Sequence, residues 1–126
     1  MIQITDKPIS PQHVVNSLKI SLSGSVVMHI GVVRPLSEGR RLVSIEYEMD
    51  SIEAEQELSQ IVTEIRATCE IQDIALCRRI GKLDLGEAIL VAAIAAPHRK
   101  EAFEACEQAV ELMRNMVSVK KKEILK

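Results

Sequence analysis

The sequence has almost no aromatic residues: Tyr47 and Phe103 are the only two among 126, and tryptophan is absent. A core must therefore be built from aliphatic side chains, which a hydrophobic content of 47% allows. Basic residues without interleaved aromatics offer no stacking surface for nucleic acid. The formal net charge is only −2, so no strong overall field attracts polyanions. We therefore predict no nucleic-acid partner.

Long apolar runs and cysteine motifs are also missing. The longest candidate run, residues 88–96, is as long as a strand and far shorter than the roughly 18 residues that a membrane span needs. The three cysteines, Cys69, Cys77 and Cys106, include no CxxC or other zinc-like spacing. Without a signal-like start, this pattern indicates a reduced cytoplasmic protein with buried thiols, no metal site, no cofactor and no membrane association.

The apolar periodicity predicts one domain, residues 1–126, with the element order β-α-β-β-α-β-β-α-β. The predicted strands cover residues 1–5, 25–34, 41–49, 71–83 and 86–96, and the predicted helices begin near residues 11, 51 and 99. The segment after residue 116 is either a short final strand or a fraying tail. Adjacent strands with short connections indicate antiparallel pairing with helices packed on one side, an α+β fold. The absence of a Gly-rich phosphate loop argues against a nucleotide-binding doubly wound fold.

Two segments give specific expectations about burial. Alternation in residues 41–49 places Val43, Ile45 and Tyr47 on one face of a half-buried strand, opposite Leu42 and its neighbours. The last helix is expected to bury an apolar stripe. That stripe comprises Ala102, Phe103, Cys106, Ala109, Val110 and Met113.

The most suggestive polar residues are His98 and Arg99, where a strand ends and a helix begins. A helix N-terminus has free N–H groups and a partial positive charge, so an adjacent imidazole and guanidinium make an anion site suited to phosphate or carboxylate. The alternative is a solvated arginine beside a histidine that merely caps the helix.

Two further basic loci flank flexible segments. Arg34 ends an apolar strand before a Pro- and Gly-containing loop, where it either clamps an anion or stays exposed. Lys120, Lys121 and Lys122 follow the last helix, which carries Arg114; they are either a solvated tail or part of a binding site.

Taken together, these segments resemble the MoaE family, the large subunits of molybdopterin synthase. "GSVVMHIGVVRPLSEGRRLVSIEYE", residues 24–48, is similar to the family's Gly-led strand, its G-x-V-R and its later G-R and Y-E. "RRIGKLDLGEAILVAAIAAPHRKEAFEAC", residues 78–106, resembles its R-x-G-x-L-x-x-G-E strand pair and the H-R helix start. "VKKKE", residues 119–123, resembles its terminal W-K-K-E. The resemblance spans roughly residues 24–123.

The resemblance implies an α/β hammerhead fold with an antiparallel sheet and helices packed against it. It implies a homodimer that carries a ubiquitin-like small subunit at each end, giving a heterotetramer. The small subunit's C-terminal Gly-Gly thiocarboxylate would deliver sulfur to cyclic pyranopterin monophosphate, forming molybdopterin. By the resemblance, Lys121 and Arg114 are catalytic, and the substrate-binding residues are Arg34, His98, Arg99 and Met113.

Helix geometry adds a constraint on this site. Arg99 and Arg114 are fifteen residues apart on one helix, which is roughly 22 Å at 1.5 Å per residue. One small pterin cannot easily contact both from a single chain. We therefore expect a shared pocket, in which His98 and Arg99 of one subunit reach the site of the other.

Arg114 stands where the family usually has a lysine, seven residues before the C-terminal lysine. The positive charge is kept, but arginine effectively cannot release a proton as a buried lysine can. Two hypotheses therefore stay open: an active sulfurtransferase, and a non-catalytic paralogue that retains dimerisation and binding of the small subunit.

Overall fold

The chain forms two small sheets and three helices. The computed structural model describes all residues, Met1–Lys126. The strands are β1 (Ile2–Thr5), β2 (Ser25–Val32), β3 (Leu36–Ser37), β4 (Arg40–Glu48), β5 (Asp73–Arg79), β6 (Gly81–Asp84), β7 (Ala88–Ala96) and β8 (Lys120–Leu125). The helices are α1 (Pro11–Asn16), α2 (Ser51–Thr68) and α3 (Arg99–Arg114). The predicted α+β class is confirmed, and the segment after α3 ends in a strand rather than a fraying tail.

The first sheet has the strand order β1-β5-β7-β2, and the second has β3-β4-β6 with β8 also paired to β4. All pairs are antiparallel except β1–β5, which is parallel. The β2–β7 register shifts between Gly31 and Val32, a β-bulge or similar irregularity. Strand β2 lies at the edge of the first sheet, and its irregular end is followed by Val33 and Arg34.

The helices cover both faces of the first sheet, so the expectation that all helices lie on one side was wrong for α1. Helices α2 and α3 pack on the face that carries Ile74, Leu76 and Ile94. Helix α1 packs Val14 on the opposite face, against apolar residues of β5 and β7. Those two strands are almost continuously apolar, and strands of that kind need cover on both sides.

The first two helices begin near residues 11 and 51 as predicted, and each has a side-chain cap. The Ser10 hydroxyl accepts a hydrogen bond from the His13 N–H at 3.2 Å, and Pro11 occupies the first turn of α1. Asp50 Oδ1 accepts from the N–H groups of Ile52 and Glu53 at 2.9 and 3.0 Å. Such caps satisfy N–H groups that have no partner within the helix.

The predicted alternation of β4 holds only in its second half. Ile45 and Tyr47 are buried as expected, but Leu42 is buried and Val43 is exposed. The reason is a register shift in the β4–β8 pairing between Leu42 and Ser44. An irregularity of this kind reverses which side chains face the core.

The aromatic side chain of α3 was also placed wrongly by the sequence pattern. Phe103 is 61% exposed, whereas Ala102, Ala105, Ala109 and Met113 form the buried stripe. Small residues let α3 lie close to the alanine-rich strand β7, and Phe103 lies beside that stripe rather than on it. The helix therefore buries its small side chains and leaves its only aromatic ring at the surface.

The R-x-G-x-L-x-x-G-E segment has a structural role around β6. Arg79 Nη1 donates to Glu87 Oε1 at 3.1 Å, and Glu87 Oε2 accepts from the Asp84 N–H at 2.7 Å. Gly81 and Gly86 have positive φ angles, +92° and +83°, which favour glycine at both ends of this strand. The bond from Asp84, then that from Arg79, hold the pKa of Glu87 below its usual value.

Candidate functional site

A cleft of about 560 Å³ opens where the two sheets meet. Its walls come from the end of β2, the β3–β4 hairpin, β4, β5, the start of β7, the end of α3 and β8. Four cationic side chains line it: Arg34, Arg78, Arg114 and Lys121. Glu123 is the only carboxylate among the lining residues, so the cleft is predominantly basic. Such a surface suits an anionic ligand.

Three of these cations were predicted from the sequence, and each is positioned by a different element. Arg34 follows the irregular end of the edge strand β2. Arg114 is the last residue of α3, and Lys121 is carried by β8, opposite Tyr47 of β4. The fold therefore brings together residues separated by 87 positions in sequence, 34 to 121.

Lys121 is held at the mouth of the cleft by strand pairing and by a neighbouring acid. Its side chain is half exposed, and Nζ lies 3.7 Å from Glu123 Oε1. Along β8 the side chains of Lys120 and Lys122 point to the opposite face, because side chains alternate along a strand. Only Lys121 of the three lysines lines the cleft.

Glu57 of α2 fixes the turn that joins α3 to β8. Its two carboxylate oxygens accept from the N–H groups of Val117 and Ser118 at 2.8 and 2.9 Å. Partial burial alone would raise the pKa of Glu57, but the hydrogen bonds from Ser118 and Val117 outweigh it and lower the pKa. The charged carboxylate thus orients the strand that carries Lys121.

We predict that Glu57→Gln destabilises the protein by about 1 kcal/mol at pH 7, measured by urea unfolding, because an amide keeps only one acceptor oxygen. A carboxylate whose pKa is lowered on folding stabilises fully above its unfolded value of 4.5. That stabilisation is lost as the pH falls through the lower pKa of the folded state. The difference in unfolding free energy between Glu57→Gln and wild type should therefore shrink below pH 4.5.

The control is Glu55→Gln, on the same helix but exposed, which should change the unfolding free energy by less than about 0.5 kcal/mol. An equal loss in both variants, or a Glu57→Gln difference independent of pH, would show that Glu57 does not hold the turn.

His98 and Arg99 lie outside this cleft. They are exposed at the start of α3, the opposite end of the helix from Arg114, and His98 makes no side-chain capping hydrogen bond. Gly24 fixes this corner: its N–H donates to the Ala96 carbonyl at 3.1 Å, and a Cβ there would meet the Pro97 carbonyl oxygen at 2.6 Å. The leading glycine of the first motif therefore permits the close approach that positions His98.

Met113 is in the hydrophobic core, only 1% exposed, and does not line the cleft. Its inward position follows from the same helical stripe as Ala109. Met116, in the turn after α3, lines the cleft instead. The substrate-binding role that the resemblance implies for Met113 stays a prediction.

Arg78 and Tyr47 line the cleft but were not singled out from the sequence. A usable signal was present in β5: Ile74, Leu76 and Arg78 alternate onto the face that α2 and α3 cover. A charged residue that continues such a buried face is unusual, because burying an unpaired charge is costly. The strand alternation predicts Tyr47 only as a core residue, and Tyr47 is indeed buried.

The chain's own thiols are remote from the cleft, because none of the three cysteines is among its lining residues. Burial raises the pKa of Cys77 to about 11 and also raises that of Cys106. Thiols of that kind stay protonated near neutral pH and are poor nucleophiles. Sulfur chemistry in this cleft would therefore need a donor brought by another molecule.

A second groove, between α2 and α3, has the opposite character. Glu64, Glu104, Glu107 and Glu111 line it, so it does not suit an anionic ligand. The described residues contain no cluster of His, Cys, Asp or Glu side chains arranged to hold a metal ion. No helix combines the length and apolar character required to cross a membrane.

Residues 4–116 match the family model described as "MoaE protein". Among curated relatives, the molybdopterin synthase catalytic subunit of Bacillus subtilis is 40% identical over 122 residues, covering 97% of this chain and 78% of the relative. The molybdopterin synthase catalytic subunit of Thermoplasma volcanium is 32% identical over 124 residues, covering 98% of this chain and 90% of the relative.

Solved structures agree with these sequence matches. The crystal structure of molybdopterin synthase from Staphylococcus aureus superposes with a TM-score of 0.91 at 32% identity, covering 98% of this chain and 90% of that one. A chain in the complex of subunits 1 and 2 of molybdopterin-converting factor from Helicobacter pylori shares the fold, with a TM-score of 0.76 at 12% identity. The match covers 98% of this chain and 88% of that one.

Proposed function

The chain belongs to the MoaE family of molybdopterin synthase catalytic subunits, and from that premise we propose that sulfur transfer takes place in the basic cleft. The enzyme is a sulfurtransferase of molybdenum cofactor biosynthesis. In the proposal, the donor is the C-terminal Gly-Gly thiocarboxylate of a ubiquitin-like small subunit. The acceptor is cyclic pyranopterin monophosphate, which becomes molybdopterin. The observation that carries the proposal is the convergence of Arg34, Arg114 and Lys121 on one cleft.

The charge of the cleft fits each stage of that reaction. The pterin phosphate is an anion, the thiocarboxylate is an anion, and the transfer of sulfur between them develops further negative charge. Fixed cations oriented before the reaction stabilise such developing charge without reorganisation. Lys121 and Arg114 are the proposed catalytic cations, and Arg34 the proposed phosphate-binding residue, all three lining the cleft.

An external sulfur donor is consistent with the position of the chain's own thiols. Cys77 and Cys106 are buried, and no cysteine lines the cleft. A flexible C-terminal peptide is a suitable carrier, because Gly-Gly has no side chains and can enter a narrow opening. We propose a cytoplasmic heterotetramer of two such chains and two small subunits, in which no metal or resident cofactor takes part in the transfer.

A second copy of the chain would complete the site from across β2. That strand is an edge, and Val26, Met28, Ile30 and Val32, here called the β2 surface, are each at least 37% exposed. Val26, Met28 and Ile30 pair with Ala95, Ala93 and Val91, which face α1, but α1 covers only β5 and β7. An uncovered apolar stripe on an edge strand is a typical self-association surface.

Two-fold symmetry then explains why His98 and Arg34 lie so far apart in one chain. His98 adjoins the start of β2, where Ser25 pairs with Ala96, and Arg34 follows its end. The seven steps of the strand span about 24 Å at 3.4 Å each. If two β2 strands meet about a two-fold axis, the start of one lies beside the end of the other. His98 and Arg99 of one copy would then approach Arg34 of its partner.

Reconstitution tests the proposed reaction. Purified protein, thiocarboxylated small subunit and cyclic pyranopterin monophosphate should yield the dithiolene product, whereas small subunit with an ordinary carboxylate should yield none. An intact complex that forms no dithiolene would contradict the proposal and would support the non-catalytic alternative.

Arg114→Lys tests whether the cation at the end of α3 acts through charge or through proton transfer. We predict that the rate of product formation changes by less than tenfold, which is about 1.4 kcal/mol of barrier, because the positive charge is kept. Arg114→Ala should form product more slowly than wild type and more slowly than Arg114→Lys. A rate increase above tenfold in Arg114→Lys would contradict this, since only lysine can release a proton there.

A further inference from the structure

Arg78 is a buried cation without an anionic partner. It is only 4% exposed, and its guanidinium carbon lies 4.3 Å from the centroid of the Tyr47 ring. Nη1 donates to the Ile89 carbonyl oxygen at 3.3 Å, whereas Nε is buried with no hydrogen-bond partner. The ion pairs of the chain do not include Arg78.

Arg79 provides a contrast within the same strand. It is also buried, at 7% exposure, but Nη1 pairs with Glu87, while Nε and Nη2 donate to backbone carbonyl oxygens. The fold therefore gives every guanidinium nitrogen of Arg79 a partner but leaves Nε of Arg78 without one. Of the two arginines, only Arg78 lines the cleft. A structural role alone would not explain that difference, because a buried charge without an anionic partner destabilises the folded state.

The remaining edge of the Arg78 guanidinium has the geometry for an oxyanion. With Nη1 bound to Ile89, the edge formed by Nε and Nη2 includes an N–H group without a partner, that of Nε. Two parallel N–H groups of this kind bind carboxylate or phosphate oxygens in a bidentate manner. The Tyr47 ring holds the guanidinium plane, and Tyr47 pairs across the strands with Lys121.

We propose that Arg78 is a further anion-binding residue of the cleft, whose guanidinium binds an oxyanion of an incoming ligand beside Lys121. The inference rests on the proposed function, which brings two oxyanions to the cleft: the phosphate of the pterin and the terminal group of the small subunit. Burial lowers the pKa of Arg78, but an arginine remains charged at neutral pH, so the site is a fixed cation.

The test compares Arg78→Met with wild type in two measurements. Inorganic phosphate and a synthetic peptide ending in Gly-Gly with a free carboxylate are titrated by calorimetry, and thermal unfolding is recorded with and without phosphate. We expect at least one of the two ligands to bind tenfold or more weakly to Arg78→Met. The unfolding midpoint without ligand should be equal to or above that of wild type, because an apolar side chain of similar length replaces an uncompensated charge.

Two further variants, Arg79→Met and Arg78→Lys, distinguish a loss of anion binding from a loss of folding stability. Arg79→Met should lower the unfolding midpoint, because it breaks the Glu87 pair, and should keep ligand binding. Arg78→Lys should keep part of the affinity, and it serves as the test variant if Arg78→Met does not fold. Weaker binding of phosphate alone assigns Arg78 to the substrate phosphate, and weaker binding of the peptide alone assigns it to the small-subunit terminus.

The inference is overturned if Arg78→Met binds both ligands within twofold of wild type, or if it lowers the unfolding midpoint as much as Arg79→Met does without a change in affinity. Arg34→Ala distinguishes this failure from failure of the proposed function. If Arg34→Ala weakens phosphate binding and the Arg78 variants do not, only the role of Arg78 is wrong. If wild type binds neither ligand, the anion cleft itself is wrong.

Discussion

Lys121→Ala is expected to lower the rate of sulfur transfer by about 10²- to 10³-fold, the usual cost of removing one oriented group that stabilises developing negative charge. Lys121 is the cleft-lining lysine of β8, and its ammonium group is half exposed at the mouth of the cleft. The measurement is single-turnover formation of dithiolene with thiocarboxylated small subunit in excess.

The neighbouring lysines supply controls of identical charge change. Lys120 and Lys122 pair with Glu48 and Glu46 of β4 and lie on the other face of β8. Their alanine variants should lose at most the small stability of an exposed cross-strand charge pair and keep the rate within about threefold. A Lys120→Ala variant as slow as Lys121→Ala would show that the effect comes from overall charge or from docking of the strand. It would then contradict the assignment of Lys121.

Most elements of the fold could be predicted because their signals are local. Ser10 with Pro11, and Asp50 before an apolar helical stripe, mark helix starts through hydrogen bonds that involve only nearby residues. The β-branched run at Ser25–Val32 and the alanine-rich run at Ala88–Ala96 are too short for buried helices of a domain this size and fit strands.

The predictions of burial and helix position that were wrong depend on contacts between residues that are distant in sequence. The exposure of Val43 follows from a register shift against β8, which lies about eighty residues later. Phe103 is exposed because α3 packs its alanines on β7, a choice that the helical periodicity alone does not determine. The position of α1 on the opposite face depends on β5 and β7 being apolar on both sides.

The candidate site was only partly accessible from sequence for the same reason. Arg34, Arg114 and Lys121 were identified because a family resemblance supplies the long-range information that periodicity lacks. Arg78 was missed because its neighbour Arg79 occupies the recognisable motif, and the difference between them lies entirely in their partners. A cleft formed between two sheets has no local sequence signature.

In the proposed dimer, cations from two copies of the chain form one site. Helix α3 places Arg99 and Arg114 at its opposite ends, and the cleft contains Arg114 but neither His98 nor Arg99. We expect Arg34→Ala and His98→Ala each to reduce activity severely when measured alone, because each variant homodimer has two damaged sites. In a mixed dimer, one site carries both substitutions, and the other carries neither.

Mixing the two inactive variants tests whether the site is shared between two chains. After subunit exchange, half of the dimers are mixed and each has one intact site, so activity should return to about a quarter of wild type. Met28→Asp, which places a charge on the β2 surface, should prevent the recovery when introduced into both variants. We expect recovery to about a quarter of the wild-type activity. Proven subunit exchange with no recovery would contradict this expectation, because the site would then be contained within a single chain.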